Sequence, residues 1–224
     1  MRFFRIILTL TAIIFLGVSC KKETALPVEM GYKYFPVNTG HWVIYDVDSV
    51  SYNDFTGEVD SFQFQIKELI ESVYTDNSGR ESQRLERYFR QNDTSSWTIK
   101  DVWSITLTAS VAERVEENIR IVKLIFPVEA FSEWDGNSYN TLGEQIYKYQ
   151  DVHSAFTING FYLDSTLSVL QKSQYTLISE DFQQEVYAAN IGLIYKKYVS
   201  LEKKPTGEIT SGIDYSYTLH SYGN

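Results

Sequence analysis

The chain has 224 residues, 20 of them basic and 29 acidic, and its formal net charge at pH 7 is −9. A negatively charged surface repels phosphate backbones, so the composition argues against nucleic-acid binding. The 17 Tyr, 13 Phe and 4 Trp, with only 4 Pro, favour a folded, strand-rich domain over disorder.

The N-terminal segment has the layout of a secretory signal. Arg2 and Arg5 form a short basic region, residues 6–18 are mostly apolar, and the small residue Ser19 follows. As a helix the apolar run would reach only about 20 Å, against a hydrocarbon core of about 30 Å. The pattern therefore predicts a signal peptide over residues 1–19 and not a permanent membrane span.

Cys20 is the only cysteine of the chain and directly follows this signal. A lone cysteine in an exported protein makes no intramolecular disulfide, so it needs another explanation. Its position resembles the lipobox of bacterial lipoproteins, although Leu16 lies four residues before it where the commonest lipobox has Leu three before. The resemblance implies lipidation of Cys20 and anchoring in a membrane, with residues 20–30 as a short tether. The alternative is an ordinary secreted protein whose cysteine has no such role.

After the tether, apolar and polar residues alternate with the period of a β-strand. Residues 41–48 form the first predicted strand, residues 53–57 a turn and residues 76–79 a hairpin turn. Between these turns the alternation changes phase at Lys67 and Glu68. We expect a β-bulge at that change of phase.

The next segments are less regular. Residues 80–91 fit a helix or a strand, and the preceding hairpin turn favours a strand. Residues 97–108 form a long amphipathic strand, in which Asp101 interrupts the apolar face at a bend or toward a wet interior. Residues 112–118 fit a helical turn or a strand, and residues 119–128 are apolar enough for a strand buried on much of both faces.

The second half of the chain continues the strand pattern. A loop with a turn signal is predicted over residues 131–142. Further strands are predicted over residues 144–153, 155–163, 163–171, 193–202 and 213–219. One short helix is predicted over residues 179–189, because Ser179 suits a helix N-terminus.

About ten strands, with at most one or two short helices besides the signal helix, predict an all-β fold. The expected architecture is a curved antiparallel sheet that forms a partly open barrel or a sandwich. Frequent aromatic residues and the expected bulge favour the curved form. Residues 31–224 are predicted to form a single domain, since about 200 residues can bury a real core.

Short motifs along nearly the whole chain carry a family resemblance. They are Cys20-Lys21-Lys22, Tyr34-Phe35-Pro36, Trp42-Val43-Ile44-Tyr45, Asp101-Val102-Trp103 and residues 113–118, 123–128, 185–188 and 191–196. Together they resemble the uncharacterised lipoproteins of Bacteroidota. The resemblance implies a lipid-anchored protein of the bacterial outer membrane, without an activity to transfer, and leaves open whether the domain faces the periplasm or the cell surface.

The same resemblance implies two candidate modification sites. Asp48-Ser49-Val50 and Asp164-Ser165-Thr166 are similar to the short tripeptides that these bacteria O-glycosylate. Ser49 and Ser165 are therefore candidate O-glycosylation sites.

No residue pattern predicts a catalytic centre, a metal site or a cofactor. His41, His153 and His220 are scattered and lack the spacing of metal ligands. Residues 151–154 contain the residue types of a catalytic triad, but residues two apart on a strand share a face by simple geometry. A surface histidine near a carboxylate is the simpler interpretation.

The four tryptophans are the candidate ligand contacts or core residues. Trp97 and Trp103 lie on the apolar face of a predicted strand, which favours the core. Trp134 is in a predicted loop beside a turn signal, which favours an exposed ligand contact, and Trp42 is a second candidate for that role.

The favoured hypothesis is a non-enzymatic envelope lipoprotein whose sheet binds a hydrophobic or amphiphilic ligand or a protein partner. The alternative is a structural or accessory subunit of an outer-membrane assembly. A hydrolase of glycans or peptides has the least support. For it, Asp46 and Asp48 point the same way on one strand and have the residue types of a glycosidase pair or a calcium site, but like charges on a solvated face are the simpler interpretation.

Overall fold

The computed structural model describes residues 28–224. The predicted signal peptide, Cys20 and most of the predicted tether lie outside these residues. The described residues form twelve β-strands and one short 3₁₀ turn, Tyr32–Tyr34. None of their helical segments is long and apolar enough to cross a membrane.

The strands are joined mostly by short turns, so each one reverses the direction of the last. Their bounds are β1 (Trp42–Tyr52), β2 (Val59–Thr75), β3 (Glu81–Arg90), β4 (Thr98–Leu107), β5 (Val111–Glu116), β6 (Ile119–Ile125), β7 (Glu133–Asp135), β8 (Ile146–Ile158), β9 (Phe161–Tyr175), β10 (Ser179–Ala188), β11 (Gly192–Lys203) and β12 (Ile209–Gly223).

All twelve strands belong to one antiparallel sheet, in the order β6-β5-β4-β3-β2-β1-β12-β11-β10-β9-β8-β7. The last strand returns to pair with the first, so β1 and β12 lie in the middle of the sheet and β6 and β7 are its edges. The sheet curls into a nearly closed barrel. The predicted all-β fold with a curved antiparallel sheet is therefore confirmed.

The two edges meet at a seam that a few hydrogen bonds close. The Val122 amide donates to the Gly136 carbonyl at 2.9 Å, and the Trp134 indole donates to the Val122 carbonyl at 2.9 Å. The Tyr149 hydroxyl accepts from the Ile125 amide at 2.9 Å and donates to the Ile125 carbonyl at 2.7 Å. These contacts satisfy edge backbone groups that would otherwise be free to pair with another strand.

One end of the barrel is filled by the chain that precedes β1, and we call it the plugged end. Tyr34 and Phe35 are buried there, in the core. The two ring nitrogens of His41 lie 2.9 Å from the Ile191 carbonyl and 2.7 Å from the Asn224 side-chain oxygen. The first described residues and the C-terminus therefore lie at the same end.

The opposite end, which we call the hairpin end, carries the β1–β2, β9–β10 and β11–β12 turns. These turns follow from the registers, because Tyr52 pairs with Val59 and with Gly212, and Ser179 pairs with Glu202. Large apolar side chains are exposed at two of the turns, with Phe55 in the first and Leu177 in the second.

The predicted helix over residues 179–189 is wrong, because this segment is strand β10. It pairs with β9 on one side and β11 on the other. Pairing within the sheet overrides the local helix signal at Ser179, since propensity is only a weak constraint against tertiary packing.

The predicted division into strands 144–153 and 155–163 is also wrong. Strand β8 continues to Ile158, and the chain turns at Asn159 and Gly160, which have φ of 47° and 83°. Near the expected division β8 is irregular: His153 has φ of 56°, and the register against β9 shifts several times. The sequence signal there marks an irregular strand and not a turn.

Three other segments agree with the predictions or settle an alternative that the sequence left open. The strand expected over residues 80–91 is β3. Residues 112–118, which fitted a helical turn or a strand, are strand β5 and a turn in which Glu117 and Asn118 have φ of 48° and 66°. The loop expected over residues 131–142 contains the short strand β7.

Candidate functional site

Charged side chains occupy inward positions of the barrel where an alternating strand would place apolar ones. In β2, Ile66, Glu68 and Ile70 are all buried, and Glu68 is only 5% exposed. The bulge expected at Lys67 and Glu68 is absent, because pairing with β1 is continuous there. The register instead shifts against β3, between Ile70 and Ser72. The change of phase in the sequence marks a buried acid.

Two arginines contact Glu68. The Arg87 Nε donates to Glu68 Oε1 at 3.1 Å, and the Arg114 guanidinium lies 3.3 and 3.2 Å from the two Glu68 oxygens. Arg87 also pairs with Asp101 at 2.8 Å and stacks on Trp103, with 3.6 Å between the guanidinium carbon and the ring centre. Asp101 thus faces inward to an arginine, which fits the wet interior that the sequence left open.

A second group surrounds Glu185 on the other side of the barrel. Lys123 Nζ lies 2.6 Å from Glu185 Oε1, and the Tyr187 hydroxyl donates to Glu185 Oε2 at 2.6 Å. Lys196 Nζ is 3.7 Å from Glu185 Oε1, and Lys123 Nζ is 3.6 Å from Glu116 Oε1. Glu185 and Lys123 are 1% and 3% exposed, so this pair is removed from water.

The two groups contain as many acids as bases. We call them the charged interior set: Glu68, Asp101, Glu116, Glu185, Arg87, Arg114, Lys123 and Lys196. Burying ions is costly unless each is paired and hydrogen-bonded. The balance of charge is what makes so many ions tolerable inside one barrel.

The charges keep one another ionised. Burial opposes ionisation of Glu116, but Lys123 and Lys196 outweigh it and lower the pKa of Glu116 to about 2. The same two ammonium groups lower the pKa of Glu185 against its burial. Burial favours neutral Lys196, but Glu116 and other neighbours raise the pKa of Lys196 above its ordinary range. Glu116, Glu185 and Lys196 are therefore charged at neutral pH.

A cavity of about 260 Å³ lies against this set inside the barrel, and we call it the interior cavity. The described residues that line it are Glu68, Arg87, Lys100, Trp103, Arg114, Glu116, Glu117, Leu193, Lys196, Tyr215 and Tyr217. Lys100 and Glu117 are exposed, and Glu117 belongs to the β5–β6 turn. The cavity therefore opens beside that turn, away from the plugged end.

Three charged groups of the lining have unused hydrogen-bonding capacity. Arg114 Nε and Glu116 Oε1 are buried and have no hydrogen-bond partner among the described residues. Lys196 Nζ is beyond hydrogen-bond distance of Glu185, its nearest carboxylate in the set. Buried polar groups are nearly always satisfied in folded proteins, so unpartnered ones that line a cavity indicate a missing partner.

The plugged end offers no comparable space. A pocket of about 40 Å³ lies there, lined mostly by apolar side chains and also by His41, Glu68 and Arg114. It has room for a few water molecules at most. In the described residues the larger interior space is therefore the polar one.

Asp46 and Asp48 lie outside the barrel, along an open groove of about 820 Å³. Asp46 accepts hydrogen bonds from Gln65 at 2.7 Å and contacts His220 at 3.0 Å, and Asp48 accepts from Gln63 at 2.7 Å. Each carboxylate is thus occupied by neighbours on the sheet surface. The described residues contain no group of three or more side chains placed to hold a metal ion.

Residues 151–154 do not form a triad. His153 Nδ1 lies 2.6 Å from the Tyr34 hydroxyl, which is also 2.8 Å from Ser165 Oγ. Asp151 instead contacts the Ser168 hydroxyl at 3.4 Å. The aspartate and the histidine therefore have different partners.

The two candidate glycosylation sites lie in strands. Ser49 is in β1 and Ser165 in β9, and both are half-buried. Ser165 is engaged by Tyr34, as described above. Modification of either serine stays a prediction.

The expectation that Trp134 is exposed is wrong. Trp134 is 8% exposed and its indole nitrogen is used at the seam. Trp42 is half-buried, with Lys67 Nζ 5.4 Å from its ring centre, and neither residue lines the interior cavity. Trp97 lies half-buried beneath Arg90, whereas Trp103 packs against the core and forms part of the cavity wall.

Two solved structures of similar proteins were found. One is a Bacteroides fragilis protein described as exported, with a YmcC-like fold, at 12% identity and a TM-score of 0.42 over 85% of this chain and 98% of that one. The other is a Parabacteroides distasonis protein described as a lipoprotein, at 10% identity and a TM-score of 0.33 over the same shares. No protein-family model matches the chain, and no curated protein matches it.

The sequence interpretation missed the residues of the charged interior set, apart from Asp101. Their signal is a charged residue that keeps the inward phase of a strand, as Glu68 does between Ile66 and Ile70. The interruption at Glu68 predicts a bulge only on the assumption that a charged residue lies on the solvent face, which is the usual case. Several such interruptions on separate strands are the pattern that would have indicated a charged interior.

Proposed function

We propose that this chain is a lipid-anchored envelope protein that binds a small polar ligand in its interior cavity without catalysing a reaction. The observation that carries the proposal is the pair of unpartnered buried atoms, Arg114 Nε and Glu116 Oε1, in the wall of a cavity that opens to the surface. A ligand that satisfies both would remove the cost of leaving these two buried atoms of charged groups without a hydrogen bond.

The polar lining favours a polar ligand over the hydrophobic or amphiphilic one expected from the aromatic strands. Leu193 is the single aliphatic side chain among the described residues that line the cavity. An acyl chain there would desolvate charged groups without pairing them, which is unfavourable. Water or a polar molecule suits the site better.

The electrostatics favour binding over catalysis. A general acid or base needs a pKa near the working pH. The pKa of Glu116 is lowered to about 2, and that of Lys196 is raised above its ordinary range. Both groups are suited to holding a ligand by fixed charges and poorly suited to exchanging protons near neutral pH.

The predicted tether would join the barrel at its plugged end. Seven residues lie between Cys20 and Val28, so an extended chain spans the distance between these two in at most about 28 Å. Met30 accepts a hydrogen bond from Val128 at the plugged end. An anchored barrel would thus turn its plugged end toward the outer membrane and its cavity away from it, whichever face of that membrane it occupies.

Native mass spectrometry tests the ligand. The full chain, extracted from its own host's envelope in mild detergent, is expected to retain a small polar molecule that Glu116→Gln releases. Glu133→Gln, on a surface carboxylate that pairs only with Lys148 in the described residues, is the matched control and should retain it. A wild-type chain that carries no small molecule under these conditions would contradict the proposal.

Metabolic labelling with palmitate tests the anchor separately. The wild-type protein should take up label and sediment with membranes, and Cys20→Ala should do neither. Unlabelled wild-type protein would refute lipidation while leaving the cavity proposal to its own test.

The exposed side chains of the hairpin end support a second candidate, an accessory subunit. Phe55 and Leu177 are 97% and 80% exposed at turns of that end. A contact surface at this end of the barrel would cover both side chains. Crosslinking in the host's envelope followed by pull-down should then recover a stoichiometric neighbour that Phe55→Ser and Leu177→Ser lose.

A further inference from the structure

The unused groups of the interior cavity differ in sign. Arg114 Nε and Lys196 Nζ are donors that carry positive charge, and Glu116 Oε1 is an acceptor that carries negative charge. Each of these groups has an opposite charge within 4 Å, but the named atoms make no hydrogen bond among the described residues. Hydrogen bonds to charged groups are stronger than neutral ones, so a ligand that supplies them gains affinity. The most complementary ligand therefore brings one anionic and one cationic group.

The balance of charges around the cavity also favours a ligand that has both an anionic and a cationic group. The charged interior set has four acids and four bases, so a bound ion of either sign would leave it with a net charge in a poorly hydrated space. A ligand without net charge keeps the balance. Among such ligands, a zwitterion satisfies both kinds of unused group with ionic contacts.

The aromatic residues of the lining argue against a stacked sugar ring. Arg87 already covers a face of Trp103, with 3.6 Å between the guanidinium carbon and the ring centre. Tyr198 stacks on Tyr215, with ring centres 4.9 Å apart and an angle of 10°. These faces are taken by protein groups, whereas Arg114 Nε and Glu116 Oε1 have no hydrogen-bond partner among the described residues.

The size of the cavity limits the ligand further. Its volume of about 260 Å³ falls below the roughly 300–1,000 Å³ of pockets for drug-sized molecules. A molecule of the size of a free amino acid fits this space, whereas a longer peptide or a whole lipid would extend beyond it.

We infer that the interior cavity binds a small zwitterion of the amino-acid class, with its carboxylate toward Lys196 and Arg114 and its ammonium group toward Glu116. The inference rests on the proposed function and names the ligand class of that site. The ionised state of Glu116, whose pKa is lowered to about 2, means that the acceptor is charged throughout the neutral range.

Isothermal titration calorimetry of the full chain in detergent tests the inference with L-alanine, L-glutamate, acetate, methylammonium and glucose as probes. At least one of the amino acids should bind, and acetate and methylammonium should each bind about tenfold or more weakly, because each meets only one kind of group. Glu116→Gln and Lys196→Met should each weaken amino-acid binding about tenfold or more. The surface variant Lys148→Met should leave it unchanged.

The inference would be overturned if glucose bound more tightly than the amino acids, or if acetate bound as tightly as they do. A Glu116→Gln variant that binds amino acids like the wild type would also overturn it. Glu116→Gln keeps the shape of the side chain, so it decides the matter even where Lys196→Met fails to fold. Absence of binding by every probe also overturns it. If native mass spectrometry still finds a retained polar molecule, the proposed function survives that result; an empty chain in both experiments refutes the two together.

Discussion

The plugged end and the charged interior of the barrel accommodate buried polar groups in different ways. At the plugged end, hydroxyl and imidazole groups have hydrogen-bond partners: the Tyr34 hydroxyl contacts His153 and Ser165, and His41 contacts Ile191 and Asn224. Farther inside the barrel, ions face one another around the interior cavity, and two of their atoms have no hydrogen-bond partner among the described residues. Closure of the barrel explains the first arrangement, and the proposed ligand would explain the second.

The difference teaches where function is to be sought in a barrel of this kind. A filled end with satisfied hydrogen bonds contributes stability and specificity of fold. A charged, partly unsatisfied interior contributes less stability than apolar packing would, because desolvation offsets most of the attraction between the ions. The following variants separate the two contributions.

The largest effect is expected from removing one partner of the buried pair. Lys123→Met leaves Lys196, at 3.7 Å, as the one cation within 4 Å of Glu185 among the described residues, and this should lower the free energy of unfolding by about 3–5 kcal/mol. The matched surface variant Lys148→Met breaks an exposed pair with Glu133 and should cost less than about 1 kcal/mol. Urea unfolding of both measures the contrast, and equal losses would show that burial does not govern these pairs.

Acid should act chiefly on the charged half. The pKa of Glu116 is lowered from 4.5 to about 2, so its contribution to stability is present above pH 4.5 and is lost as the pH falls toward 2. The loss attributable to this group is about 3 kcal/mol. Urea unfolding from pH 6 to pH 2.5 should show it in the wild type and a shallower fall in Glu116→Gln. Parallel curves for the two proteins would refute the assignment.

The plugged end should respond more weakly. Tyr34→Phe removes the hydroxyl that contacts His153 and Ser165 without changing the apolar packing of the ring. The expected loss is about 1 kcal/mol, since both partners lie near enough to the surface to recruit water. Thermal unfolding measures it, and ligand retention should be unchanged; a loss of ligand would mean that the two ends are coupled.

Strand pattern and turn chemistry predicted the fold class because both are local properties of the chain. Residues 80–91 show this. Their own pattern fits a helix or a strand, and the hairpin turn before them correctly favours the strand. The helix expected at Ser179 failed because pairing with β9 and β11 outweighs a local cap.

The candidate site could not be predicted from the sequence, for a related reason. Trp134 was expected in the open, and the seam between β6 and β7, which buries it, arises only when the sheet closes. Glu68, Arg87 and Arg114 come from three strands, and their meeting depends on the register of the sheet. Periodicity shows that a charge is out of phase, and the partner that makes it tolerable is a property of the fold.

The central claim is that the cavity's charges serve a ligand more than they serve the fold, and Glu116→Met combined with Lys196→Met tests it most directly. The double variant removes one acid and one base, so the remaining set stays balanced. We expect a free energy of unfolding equal to or higher than that of the wild type, measured without added ligand, together with loss of the retained molecule. A loss of several kcal/mol with the molecule still bound would contradict the account.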